Sequence, residues 1–112
     1  MRLFKTTHLV SVIPTADFSA SRQWYARFLG EPDETPSDGM AEWLIADNAW
    51  LQLDSNANGQ TAVIIGVENV AACRQALLQV DVAAADIVDY GFVQVCNTQD
   101  PHGNRVSFVQ IM

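Results

Sequence analysis

The sequence predicts an α+β fold built from two βαβββ modules in tandem. Three observations favour it: an internal repeat, a helix-type apolar stripe in each half, and β-type apolar runs around each stripe. The repeat is visible as ASRQ at residues 20–23 and ACRQ at residues 72–75, an offset of 52 residues. A half of this size buries too little surface to fold alone. We therefore predict a single domain over residues 1–112, with module one at about 7–55 and module two at about 60–111.

Each module has one predicted helix. Apolar and small residues recur at the spacing i, i+3, i+7, i+10 over residues 18–28 and again over residues 70–80, which is typical of an amphipathic helix. Asp17 and Asn69 stand directly before the two stripes and suit the N-cap position. Gly30 is expected to end the first helix.

Eight β-type runs flank the predicted helices, with short turn-rich spacers between them. They are residues 8–13, 31–35, 40–46 and 49–54 in module one, and residues 61–66, 85–90, 92–97 and 104–110 in module two. The spacer at residues 100–103, Asp-Pro-His-Gly, suits a type I turn. We interpret His102 as an exposed residue of this turn.

The composition limits the possible partners. The net charge is −7, and the six Lys and Arg residues are scattered, so binding to nucleic acid or to an anionic membrane is not expected. A cationic small molecule is favoured instead. The N-terminus MRLFKTTHLV has no apolar signal-peptide region, and Cys73 and Cys96 lack CxxC spacing. We expect a cytoplasmic protein with reduced thiols.

The tandem modules, the helix end WYARFLG at residues 24–30 and the segment DPHGNRVSFVQ at residues 100–110 resemble the vicinal oxygen chelate superfamily. This group contains glyoxalase I, extradiol dioxygenases and bleomycin-resistance proteins, and the resemblance covers residues 7–111. It implies strands curled into a mixed sheet, or cup, with two helices packed on its outer face. It also implies a homodimer, but not a reaction, because function depends on the site.

The resemblance also implies where metal ligands would lie. In metal-dependent members the opening and closing strand of each module supply one ligand each, and these positions fall on Val10, Gln52, Ala62 and Ser107. Only Gln52 is a usual ligand, and a dication needs several anionic or imidazole donors. A shift of two residues would bring His8 onto the same face. We therefore predict no metal site, no cofactor and no catalytic residue.

The cup lining follows from the alternation of strand side chains. We predict a mostly apolar pocket for a small aromatic or cationic molecule, with Trp50 and Phe92 as its aromatic pair. The predicted ligand-binding residues are His8, Val10, Met40, Glu42, Leu44, Trp50, Gln52, Asp54, Ile64, Phe92, Gln94, Cys96, Arg105 and Ser107.

Three further possibilities stay open at this point. The apolar walls and Trp50 could pack under a second subunit or another partner, with Glu42 and Asp54 paired to Arg105. The chain could instead be an enzyme of the same superfamily, either metal-dependent or using Glu42 or Asp54 as a general base. Cys96 and His8 could also meet across the cup as nucleophile and base.

Overall fold

The computed structural model describes residues 1–112 and contains two helices and seven strands. Module one consists of β1 (Leu9–Pro14), α1 (Phe18–Leu29), β2 (Met40–Ala46) and β3 (Ala49–Asp54). Module two consists of β4 (Ala62–Gly66), α2 (Val70–Gln79), β5 (Val88–Asp89), β6 (Val93–Gln99) and β7 (Arg105–Ile111). The predicted α+β fold class is confirmed.

The strands form two mixed sheets. Sheet A has the order β1-β3-β2, and sheet B has the order β4-β7-β6-β5. In each sheet the strand before the helix pairs in parallel with the last strand of its module, and the other neighbours are antiparallel. The run at residues 31–35 is reduced to one bridge between Glu34 and Glu42. The common strand order is the structural counterpart of the sequence repeat.

Both helices begin at the expected caps. The Asp17 carboxylate accepts a hydrogen bond from the Ala20 N–H at 3.1 Å, and the Asn69 side chain accepts one from the Ala72 N–H at 3.0 Å. α1 ends at Gly30, whose φ of 77° lies in the left-handed region that favours glycine. Neither helix is long and apolar enough to cross a membrane.

The core lies between the helices and the sheet faces that they cover. On sheet A the covered face carries Trp43 and Leu51, which are 2% and 0% exposed. Tyr25 of α1 lies against Trp43, with ring centroids 5.9 Å apart. Phe28, one helical turn further on, meets Phe108 of sheet B edge to face at 5.7 Å. α1 therefore packs on both modules, and this joins two halves that are each too small to be stable alone.

A buried polar cluster centred on Asp100 also joins the modules. The Asp100 carboxylate accepts hydrogen bonds from the Tyr25 hydroxyl at 2.6 Å, from the Asn104 amide Nδ2 at 2.8 Å, and from the backbone N–H groups of His102 and Asn104 at 2.9 Å each. Asn104 also donates to the Pro14 carbonyl at 2.8 Å, so the turn of module two is fastened to the end of β1.

His102 is half-buried in this cluster, so its interpretation as an exposed turn residue is wrong. Its Nδ1 accepts from the Ala16 N–H at 3.2 Å, and its Nε2 lies 2.9 Å from the Gly59 carbonyl oxygen, to which it must donate. The imidazole thus links the turn to the start of α1 and to the connection between the modules. The turn itself is as predicted, because the Gly103 N–H donates to the Asp100 carbonyl at 3.0 Å.

Tyr25 leads us to expect an alkaline limit to stability. Burial raises the pKa of its hydroxyl, and the hydrogen bond to Asp100 and the charge of that carboxylate raise it further. Because the folded-state pKa lies above the ordinary value of 10.0, the unfolded chain loses this proton first. The stabilisation from the buried Tyr25 hydroxyl is therefore complete below pH 10.0 and is lost progressively as the pH rises above that value.

We expect the free energy of unfolding, measured by urea titration between about pH 8 and pH 11, to fall more steeply in the wild type than in Tyr25→Phe. Burial also raises the pKa of both thiols, but their contribution cancels in the difference between the two proteins. Parallel curves would show that Tyr25 does not set the alkaline limit.

Candidate functional site

The face of each sheet that points away from the helices is called the open face here. Directly paired residues share a face, and in sheet A the register pairs Glu42 with Gln52, and Leu44 with Trp50. Val10 pairs with Trp50 from the other side. Met40 and Asp54, which are also paired, complete this face. The register therefore puts these predicted residues together on the open face of sheet A, while ligand contact by any of them stays a prediction.

A depression of about 470 Å³ lies at one end of this open face. Its lining residues are Thr7, His8, Val10, Glu42, Asn48 and Trp50. The Glu42 carboxylate accepts a hydrogen bond from the Gln52 amide at 2.6 Å, which holds one of its oxygens in place. The His8 Nδ1 lies 2.9 Å from the Thr7 hydroxyl. A carboxylate beside an indole ring, with amide and hydroxyl groups around them, suits a flat cation.

The open face of sheet B is mainly aliphatic. Ile64, which is 68% exposed, pairs with Ser107, and Ala62 pairs with the exposed Arg105. The Ser107 hydroxyl donates to the Asn97 side-chain oxygen at 2.6 Å. Of the predicted residues of module two, Ile64, Arg105 and Ser107 therefore lie on the open face.

The assignment of Phe92, Gln94 and Cys96 to the cup is wrong. Cys96 pairs with Phe108 on the face covered by α2, and it is fully buried. Gln94 pairs on the same face with Gln110, whose side chain accepts from the Val70 N–H of α2 at 2.9 Å. Phe92 lies outside β6 and is 73% exposed.

The physical reason for this error is a change in the repeat offset. Val10 and Ala62 occupy equivalent positions at an offset of 52, but Gln52 corresponds to Ser107 at an offset of 55. Because side chains alternate with a period of two, an odd change of three residues reverses the faces of the later strands. By the second offset Glu42 corresponds to Asn97. Asn97 is absent from the predicted site residues, although applying the Gln52–Ser107 offset to β6 would have found it.

The four inferred metal positions do not fit a dication. Val10 and Gln52 lie in sheet A, and Ala62 and Ser107 lie in sheet B. Two of these side chains have no donor atom, and the Ser107 hydroxyl is already bonded to Asn97. No group of three or more His, Cys, Asp or Glu side chains is arranged to hold a metal ion elsewhere.

The ion pairs and the thiols of the chain lie away from the depression. The ion pairs are Arg22–Glu31 and Arg74–Asp86, each at 3.2 Å, so Glu42 and Asp54 are not paired with Arg105. Cys96 donates to the Ala85 carbonyl at 3.4 Å beneath α2, whereas His8 is exposed beside sheet A. A nucleophile–base pair of Cys96 and His8 is therefore wrong. Both cysteines are free thiols, and burial raises the pKa of each.

A second cavity, of about 560 Å³, lies between the modules. It is bounded by the end of α1, by α2, and by residues of β2 and β4, and most of its lining is apolar. Leu44 is the only predicted ligand-binding residue in its wall. The depression around Trp50 is lined by four of them, His8, Val10, Glu42 and Trp50.

Comparison with solved structures identifies the fold. A glyoxalase/bleomycin resistance protein from Catenulispora acidiphila DSM 44928 superposes with a TM-score of 0.86 at 24% identity, over 96% of this chain and 100% of the other. TnmS3, an antibiotic binding protein from Streptomyces sp. CB03234, gives a TM-score of 0.80 at 15% identity, over 99% and 100%. A lactoylglutathione lyase from Agrobacterium tumefaciens gives 0.77 at 14% identity, over 95% and 94%.

No protein-family model matches the chain, and no curated protein matches it. The structural matches define a class: the chain has the α+β fold of glyoxalase and bleomycin-resistance proteins. That is the fold of the vicinal oxygen chelate superfamily, as the sequence predicted. These identities show the fold alone.

Proposed function

We propose that this chain is a metal-independent binding protein for a small aromatic cation, with its site on the open face of sheet A. The observation that carries the proposal is the placement of Trp50 and Glu42 in one depression, with the Glu42 carboxylate held by Gln52 at 2.6 Å. Cation–π attraction and a nearby carboxylate favour the same ligand class. An antibiotic binding protein with this fold, TnmS3, supports a sequestering role.

The proposal includes a homodimer. The open faces leave large apolar side chains uncovered, among them Leu44 at 48%, Ile64 at 68% and Ile111 at 83% exposed. Exposed apolar patches of this kind mark interfaces in folded proteins. The outer edges of β1 and β4 also have no strand partner, and unpaired edges favour association.

A reducing, cytoplasmic location suits the two free thiols.

The ligand class is tested with a matched pair of compounds, N-methylquinolinium and neutral quinoline at pH 7. We expect the cation to quench tryptophan fluorescence with saturation and to bind about tenfold more tightly than quinoline. Glu42→Gln should remove most of this preference, and Trp50→Leu should weaken binding of both compounds about tenfold. Asp47→Asn is the control, because Asp47 is an exposed acid in the turn between β2 and β3 and lies outside the depression.

Equal affinity for the two compounds, or an effect of Asp47→Asn as large as that of Glu42→Gln, would rule out a specific cation site. Metal analysis of the same purified samples tests for metal-dependent catalysis. One tightly bound Ni²⁺ or Fe²⁺ per chain would replace the binding function with metal-dependent chemistry.

A further inference from the structure

The first seven residues form an exposed arm that reaches the edge of the depression only through Thr7. They precede β1 without helix or strand structure, and all of them are exposed. Leu3 is 94% and Phe4 is 71% exposed, although both side chains are large and apolar. A single copy of the chain therefore leaves these two apolar side chains largely uncovered.

The charges of the arm and of sheet A are opposite. The arm carries Arg2 and Lys5 and no acidic residue. Residues 31–54, which include β2 and β3, carry seven of the thirteen acidic residues and neither Lys nor Arg. The arm is therefore basic and this segment is acidic, and opposite potentials of this kind direct association.

Sheet A suits the arm better than sheet B. Its open face combines the carboxylates of Glu42 and Asp54 with the exposed apolar side chains of Val12 and Leu44. The open face of sheet B carries Arg105 instead, which would repel a basic segment. Seven extended residues reach about 23–25 Å, and a three-stranded sheet is only about 10 Å across between its outer strands. The arm is therefore long enough to cross sheet A.

We propose that the arm of one copy docks on the open face of sheet A of a second copy. Arg2 and Lys5 lie against the acidic segment 31–54, and Leu3 and Phe4 cover the apolar side chains beside it. This inference rests on the homodimer of the proposed function and names the contact that stabilises it. It also places the arm next to the depression that holds Trp50 and Glu42, so that arm and ligand share one surface.

The test is a charge exchange, read by sedimentation equilibrium at low salt. The wild-type chain should dimerise, and Arg2→Glu/Lys5→Glu should weaken the dimer about tenfold. Glu42→Lys/Asp54→Lys should weaken it by a similar factor. Combining both pairs should restore the association to within about threefold of wild type, because opposite charges face each other again. The wild-type association should weaken as salt is added.

A matched control distinguishes the effect of the charges on the arm from the effect of the net charge of the chain. Arg2→Gln/Lys5→Gln makes the chain more negative by two charges, and so does Gln75→Glu/Gln79→Glu on the exposed surface of α2. Only the first pair should weaken the dimer. The arm substitutions change no folded element, so they test the contact even if the sheet A variant unfolds.

A monomeric wild type, equal effects of the two matched pairs, or no effect of the arm substitutions would overturn arm docking. So would a combined variant that associates no better than the weaker of its parents. Ligand binding to the monomeric arm variant is measured separately with N-methylquinolinium. If arm docking fails but N-methylquinolinium still binds, the ligand-binding part of the proposed function stands. If arm docking is seen but N-methylquinolinium does not bind, ligand binding alone is contradicted.

Discussion

Replacing Asp100 by alanine is expected to lower the free energy of unfolding by about 3–5 kcal/mol. The carboxylate is 4% exposed and accepts four hydrogen bonds, including the Tyr25 hydroxyl of module one and the Asn104 amide of module two. Its removal leaves buried donors without acceptors, which costs more than the lost bonds alone. Urea unfolding at pH 7, followed by circular dichroism, measures this change.

Asp89→Ala is the matched control. Asp89 also accepts two hydrogen bonds. One comes from the backbone N–H of Gly91 at 2.8 Å, and the other comes from the side-chain amide of Gln94 at 3.3 Å. It is exposed and bonds only within module two, so we expect a loss below about 1 kcal/mol. Similar losses in the two variants would show that the Asp100 cluster does not join the modules.

The Asp-Pro-His-Gly turn therefore has a structural role. Its carboxylate binds Tyr25, its imidazole binds Ala16 and Gly59, and the following Asn104 binds Pro14. These contacts tie the last hairpin of module two to the connection between β1 and α1. A stable joint of this kind leaves the open faces free, and we propose that the ligand binds on one of them.

Much of the fold was accessible from local signals. The bounds of β2 and β3 agree with the predicted runs 40–46 and 49–54, and Asp17 and Asn69 cap their helices as expected. Caps, turns and period-two alternation act between residues that are close in sequence. Such interactions can be read without knowing what packs against them.

The errors concern interactions between distant residues. Assigning Gln94 and Cys96 to a face required the offset between the late strands, which the helix repeat does not give. The environment of His102 depends on Ala16, which lies 86 residues away in the sequence. No local pattern encodes these contacts, because each depends on the assembled tertiary structure.

The two tryptophans of sheet A provide the second large expected effect. Trp43 and Trp50 lie on neighbouring strands but on opposite faces. Trp43 is 2% exposed, packs on Tyr25, and donates its indole N–H to the Gly30 carbonyl at 2.9 Å. Trp43→Ala should therefore cost about 3–5 kcal/mol of unfolding free energy through the cavity that it leaves. Trp50→Ala, on the half-buried open face, should cost less than about 1.5 kcal/mol.

The same pair of variants should separate stability from binding. Trp50→Ala is expected to lose most of its affinity for N-methylquinolinium while staying folded at 25 °C. Trp43→Ala, measured at a temperature where it remains folded, should bind the cation with an affinity within about threefold of wild type, because its ring faces α1. If Trp43→Ala abolished binding and Trp50→Ala did not, the ligand would lie on the helix side of the sheet. The cavity between the modules, which Trp43 lines, would then replace the depression on the open face as the binding site.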